Sequence, residues 1–501
     1  EKGAFIQRGN LAPEPHDLKF PKDRPFPKFS GDWSISGDLL VLSTFDQGLI
    51  FIDRKSGEYH SSRGVLNGLP SEKVHAVCLG RNGQLWIGMD NGLALVPSDE
   101  GLQFFAKDHS DSDPIIGFAR HNSTLFAASR KGVLEQDLAI AGKPFVYRTQ
   151  TPLIGAGISE HENHADLLTE TRPVPLDDAD ISHPSPWPDT PAELHVVSQL
   201  TPSKQFTVFQ NKIYAFDEQD ASPPTVFETP HFGISSIAET ANGKIVYGRS
   251  SRDEGIYLID PAAPAEHPVP IPLEPQDPRP ILWSKVARIG PSVVILTNHG
   301  LYEYDATSNT TRPLPLVGWK LSTDASHAHF SAEDTNNLWL TFCDELEGEH
   351  YRSRIGKLTL NEQTGSIHFD ELMVHGLTRF GPPTALYVER YDDKMKRLWL
   401  GSKKGILAIT PSGLRELPPP VTRLRRMIAD NEQTVFAAIA ALPALTIPKP
   451  ENSIELRYAA TPDFTGYREY QTFVEGYDSS WSEFSTAPFR TLGRLPPGRY
   501  S

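Results

Sequence analysis

The sequence predicts an all-β protein, a β-propeller followed by a small immunoglobulin-like β-sandwich. Three observations predict it. A strand–turn–Gly–strand pattern recurs about every 40–50 residues, the period of four-stranded propeller blades. The 501 residues include 44 Pro and 37 Gly, breakers that suit many short strands and tight turns. The repeat then stops at Pro418-Pro419-Pro420, and a different alternating pattern follows.

The clearest copies of the repeat are LLVLSTFDQGLIFID, LWIGMDNGLALV, LFAASRKGVLEQD, IVYGRSSRDEGIYLID, VVILTNHGLYEYD and LWLGSKKGILAIT. FTVFQNKIYAFD and LWLTFCDELEGEHYRSRIGKLTL are degenerate ones. The anchors are Gly48, Gly92, Gly132, Gly255, Gly300, Gly356 and Gly405, with Ile213 replacing one. A Gly suits the hairpin between the second and third strands, where one position needs φ > 0. Each unit has an upstream strand, such as VHAVCLG or KVARIG, and a downstream one, such as LQFFA or FVYRT. Units start near Trp33, Val74, Ile115, Leu194, Ile234, Lys285, His327 and Thr384. Eight blades are expected, with seven as the alternative. Trp86, Trp339 and Trp399 are expected to fill the wedges between blades.

The expected domains are an N-terminal extension at 1–30, the propeller at 31–418 and the sandwich at 419–501, the last incomplete at its C-terminus. Residues 151–191 are polar and Pro-rich, and are expected to form a surface excursion with one helical turn near His164–Thr169. In the C-terminal region SIELRYAA and YQTFVEGYD alternate as strands, and LPPG marks a turn.

The net charge of −15 opposes nucleic-acid binding, which needs a basic footprint. Cys78 and Cys343 are expected to be two independent buried thiols, because they lie far apart in the chain. No signal peptide is visible at Glu1-Lys2-Gly3 and one is expected to have been removed. The longest apolar run, Thr434 to Ile447, is broken by Pro443 and too short to span a bilayer, so a membrane anchor is expected outside these residues.

Two stretches carry a family resemblance. GLPSEKVHAVCLGRNGQLWIGMDNGLALV (68–96) resembles the two-component regulator propeller repeat, with its GLP turn, LWIG strand and closing NGL. LWLGSKKGILAI (398–409) is a second match. The segment from Ser453 to Tyr500 resembles the three-tyrosine domain that follows such propellers, through Tyr470, Glu475-Gly476-Tyr477-Asp478, Trp481, Leu495-Pro496-Pro497-Gly498 and Tyr500. The resemblance implies the periplasmic or extracellular sensor region of a bacterial transmembrane receptor, of histidine kinase or diguanylate cyclase type. It also implies a homodimer through the three-tyrosine domain.

Chemistry is sparse. The chain has no G-x-S-x-G elbow, P-loop or H-E-x-x-H motif. His161 and His164 form H-x-x-H beside several Asp, but no clear third ligand stands near them. No catalytic residue, metal or cofactor is assigned, and no enzyme is expected in this region. The binding candidates are the turns between second and third strands, which a propeller gathers at its mouth. They are Phe45 and Asp46, Asp90 and Asn91, Arg130 and Lys131, Arg249 and Arg252, Asn298 and His299, Asp344, and Lys403 and Lys404. A cationic rim on an acidic protein focuses anionic ligands, such as an acidic glycan. Exposed loops are also simply charged. A surface or secretion-associated scaffold, or a propeller lyase or hydrolase, stands as the alternative function.

Overall fold

In a computed structural model the chain divides into two units, residues 1–373 with 380–415 and residues 374–379 with 416–501. The structure describes residues 25–65, 71–80, 84–97, 101–106, 113–139, 145–149, 194–198, 203–217, 222–250, 255–263, 267–273, 280–314, 328–346, 350–374, 377–391, 394–414, 421–429, 433–436, 453–460, 470–482 and 487–493. It also describes the short pieces 4–6, 14–16, 18–20, 158–161, 164–167, 174–175 and 495–500, and Leu69, Leu200, Thr201, Leu321 and Ser485.

The first unit is a β-propeller of antiparallel sheets built from sequential hairpins. Sheets one to nine have first strands Phe29–Ser36, Val74–Leu79, Ile115–His121, Ile158–His161, Leu194–Val197, Ile234–Glu239, Ser284–Ile289, His329–Ala332 and Ala385–Tyr391. Eight of these lie at the eight expected starts. The ninth, sheet four, falls in the expected excursion: Ile158–His161, His164–Leu167 and Val174–Pro175 pair as three strands. A strand therefore stands where a helical turn was expected. Ile158 explains its place, since it is buried with Ala119, Phe126, Ala128 and Val133 of sheet three.

The first strands of sheets three to nine touch in order, and sheet nine returns to sheet three. This circuit takes in seven sheets. Sheets one and two, expected as blades, pack mainly on one another around Val41, Phe51, Leu85 and Ile87. Wedge-shaped cores fill the circuit. Phe206 and Tyr247 lie between sheets five and six, Val246 and Ile295 between six and seven, and Leu340 and Leu358 join the core shared by seven and eight.

The circuit closes through a strand borrowed across the chain. Leu102–Ala106 was expected to complete sheet two. It pairs instead with Gly405–Ile409, as the outer strand of sheet nine. Phe105 stacks on Trp399 at 5.9 Å and meets Phe145 edge-on at 5.3 Å, so its ring is held by sheets nine and three together.

Trp339 and Trp399 are buried as expected, and their indole N–H groups donate to Glu333 at 2.7 Å and Glu389 at 2.8 Å. Trp86 departs from the expectation at 42% exposed. Leu85 and Ile87 point into the core with sheet one, which turns Trp86, Cys78 and Leu93 to the other face of sheet two. Cys78 is accordingly exposed, and only Cys343 is a buried thiol.

Two glycines show distinct reasons for their residue. Gly48 sits at φ +71, and a Cβ there would lie 2.1 Å from the Arg63 carbonyl oxygen. Gly356 is not in a turn, contrary to its role in the repeat. It lies within the long strand His350–Asn361, and a Cβ would meet the Phe369 ring at 2.3 Å.

The second unit contains one four-stranded antiparallel sheet ordered Gln433–Phe436, Thr422–Ala429, Ile454–Ala460 and Phe489–Leu492. YQTFVEGYD, expected as a strand, is a turn with one bridge between Tyr470 and Ser485. Asp478 holds it: the carboxylate accepts two bonds from Arg490, at 2.6 and 2.8 Å, and one from the Val474 N–H at 2.6 Å. Tyr458 packs on Tyr470 at 4.9 Å, Tyr477 lies 6.4 Å from Tyr500, and the Tyr500 hydroxyl donates to the Pro496 carbonyl.

Three substitutions test these contacts. Trp399→Ala is expected to cost about 3–5 kcal/mol in urea denaturation, the range for emptying a buried aromatic site. Trp86→Ala is expected to cost about 0.5 kcal/mol or less, as an exposed substitution. The Arg490 guanidinium holds the Asp478 carboxyl below the usual 3.8. Its stabilisation is therefore present above pH 3.8 and lost as pH falls through the lowered folded value. Asp478→Asn is expected to lower the melting temperature at pH 7, and the difference from the parent chain should shrink as pH falls below 3.8.

Candidate functional site

Backbone register places the turns between second and third strands at the same end as the start of each first strand. Ile115 pairs with Ser129, Ser284 with Thr297 and Ala385 with Gly401. Hydrogen bonds tie these turns to the loops that enter the sheets. The Lys131 N–H donates to Asp113 at 3.0 Å, the Leu282 N–H to Asn298 at 2.8 Å, and the Ser402 hydroxyl to the Phe380 carbonyl at 3.2 Å. In sheets three, seven and nine these turns lie at the end where the first strand begins.

That end differs from the expected rim. Arg249 is 3% exposed. Its Nε and Nη2 donate to the Phe232 carbonyl at 3.0 and 2.8 Å, beside Tyr247 and Tyr257, whose rings stack at 5.5 Å. Burial and the Arg249 charge push the His231 imidazole below its usual range, and burial raises the Tyr247 phenol. Arg249 is therefore a structural cation. Asp344 is likewise 5% exposed. It lies in the strand Asn337–Leu346 opposite Arg352, with Arg354 Nη2 at 3.3 Å, because this hairpin runs past the expected turn. The side chains of Asn298 and His299 bond to the Pro280 carbonyl at 3.2 and 3.0 Å. Arg252 lies outside the described residues, as do the side chains of His161 and His164.

Two groups of candidates remain at the surface. Arg130 and Lys131 on sheet three and Lys403 and Lys404 on sheet nine are exposed, on turns of two neighbouring sheets. In sheets one and two, Phe45 packs edge-on against His75 at 5.5 Å. His75 bonds to Asp90, which Lys73 also approaches at 3.5 Å, and this lowers the Asp90 carboxyl. Asp46 accepts the Lys28 N–H at 2.9 Å, and Asn91 is exposed beside Asp90. Sequence reading put both groups on one rim. The contacts place the second in the separate pair of sheets one and two.

A site that sequence reading missed lies on the first strands. A cavity of about 260 Å³ runs along the first strands of sheets five to eight, between Val196, Ser235, Lys285 and Phe330. Lys285 lines the cavity together with Val286, Ala287 and Arg288 of the same strand. Its Nζ donates to the Ser235 carbonyl at 3.1 Å. Burial pushes the Lys285 ammonium down to about 8. Arg288, further along, donates to the Glu239 carbonyl at 2.7 Å, and the Glu239 carboxylate is taken by Lys204 at 2.7 Å and the Ser198 hydroxyl. KVARIG had been read only as a strand. The signal was its lysine and arginine.

Residues 68–91 match the family model described as "Two component regulator propeller". No curated protein matches the chain. Among solved structures, the chain is similar to the extracellular domain of the putative one component system BT4673 from B. thetaiotaomicron, at 12% identity over 96% of this chain and 84% of that one, with TM-score 0.30. It is also similar to virginiamycin B lyase from Staphylococcus aureus, at 12% identity over 62% and 98% of the two chains, with TM-score 0.39. At those scores the two likenesses carry no functional argument.

Lys285 makes a pH-dependent prediction. Below pH 8 both folded and unfolded chains hold its proton, and the buried ammonium destabilises the fold. Between 8 and 10.5 the unfolded chain holds more protons, so stability rises with pH. Lys285→Met is expected to melt higher than the parent at pH 7, and the gain should shrink as pH rises through that window. Thermal unfolding at a series of pH values checks it.

Proposed function

We propose that this chain is the extracytoplasmic sensor region of a bacterial transmembrane signalling receptor, of histidine kinase or diguanylate cyclase type. The match of residues 68–91 to the two component regulator propeller carries the reading. The propeller binds an acidic ligand, such as a uronic-acid glycan, at its mouth. The second unit, a three-tyrosine domain on this reading, passes the signal on, through a homodimer whose geometry the ligand shifts. The region itself does no chemistry. No helix among the described residues is long and apolar enough to cross a membrane, and the reading puts the anchor outside these residues.

The exposed pairs Arg130–Lys131 and Lys403–Lys404 support an anionic ligand, because neighbouring turns add their fields on an otherwise acidic protein. Thermal shift against acidic and neutral oligosaccharides, with and without divalent metal, tests the reading. A ligand that binds only the folded chain raises the midpoint with its concentration. Acidic oligosaccharides are expected to raise it, less so in high salt, and changing the four cations to Ala is expected to abolish that oligosaccharide shift. No shift with any sugar would favour a scaffold. Metal-dependent turnover of a sugar would favour a lyase or hydrolase.

A further inference from the structure

The cavity on the first strands of sheets five to eight has a charge that its own walls leave unanswered. Among the described residues Lys285 has no acidic partner: its one bond is to the Ser235 carbonyl. Charged groups reach the cavity from each strand packed around it. Sheet six brings Glu239, already neutralised by Lys204 of sheet five. Sheet seven brings Arg288, bonded to a backbone carbonyl, and sheet eight brings His329. The balance is positive. The remaining wall carries apolar Val196, Ile237 and Phe330 beside Ser235, Ser236 and Ser331. Lys285 is partly buried, and a partly desolvated cation with no acidic partner attracts an arriving anion more strongly than one in open water.

We infer that this cavity binds a small organic carboxylate, whose charged end meets Lys285 and whose body lies along the apolar wall. Three features favour this class. Lys285 answers a single charge, since Arg288 beside it is already bonded to the Glu239 carbonyl. The volume of about 260 Å³ lies just under the range of drug-sized ligands, so the occupant is small. The apolar wall gains from a carbon-bearing body, which inorganic anions lack. Lys285 follows Ser284, whose partner Thr297 begins the Asn298–His299 turn, so it lies at the mouth end of the cavity. The inference rests on the reading of the propeller as a ligand-binding region, and it names a binding site separate from the cations of sheets three and nine.

Trace acylation of the whole chain, read by mass spectrometry at Lys285 over a range of pH, tests it. The probes are D-glucuronate and acetate, with D-glucose and inorganic phosphate as controls. An amine with its free value near 8 should acylate readily at neutral pH. A bound carboxylate favours the ammonium and raises its pKa. One unit of rise slows labelling at pH 7 roughly tenfold. Glucuronate is expected to slow it at least that much, acetate less, and glucose not at all. Lys285→Met, an unbranched side chain one atom shorter and without the charge, is expected to stay folded and to lose the glucuronate-dependent rise in melting temperature measured with the four mouth cations changed to Ala. Labelling unchanged by both carboxylates would overturn the inference, as would an undiminished rise in Lys285→Met. Equal protection by phosphate would overturn the carboxylate assignment. Protection of Lys285 that persists in the mouth variant, with no mouth binding in the parent chain, would leave the cavity and remove the mouth reading. The reverse result would remove only the cavity.

Discussion

The first unit depends on one strand pairing. Leu102–Ala106 precedes sheet three in the chain, and Gly405–Ile409 lies in sheet nine, the last of the circuit. Their ladder closes the circuit and covers what would be the outer edge of sheet nine, where unpaired N–H and C=O groups would invite another chain. The same pairing brings Phe105 onto Trp399, in a core that also holds Ile115 and Phe118 of sheet three. Backbone closure and side-chain closure thus coincide. The Thr384 hydroxyl adds a bond to the Ile115 carbonyl at 2.6 Å across the same seam.

Much of this was legible in the sequence. The eight repeat starts each fall on a first strand or within two residues of one, because alternating apolar residues and the turn glycines act locally. The assignment of strands to sheets was less legible. LQFFA reads as a strand wherever it pairs, and its neighbour in the chain was the natural partner. What decides is Phe105 against Trp399, a contact between residues almost three hundred positions apart. Sheet four was missed for a related reason: its strands are two to four residues long, and what places it is the burial of Ile158 against sheet three.

The candidate rim shows the same limit. Arg249 sits at the predicted strand end, but sequence cannot tell an arginine that faces solvent from one that caps a carbonyl beneath two tyrosines. Asp344 was misplaced because FCDELEGEHYRSR continues a hairpin beyond the length that the other repeats suggest. Arg130, Lys131, Lys403 and Lys404 stayed exposed because short turns leave such side chains nowhere to fold back. Lys285 was hidden by its context. In a strand the period of two decides which face a residue takes, and the face becomes a cavity wall only once the sheets are arranged around it.

Native-state hydrogen exchange at Leu102–Ala106 tests the closure most directly. If this strand closes the circuit, its hydrogen-bonded amides will open with the same free energy as those of Gly405–Ile409, as one cooperative unit. Fast exchange at Leu102–Ala106 beside a protected Gly405–Ile409 would contradict it, and would mean that the circuit holds together without the borrowed strand.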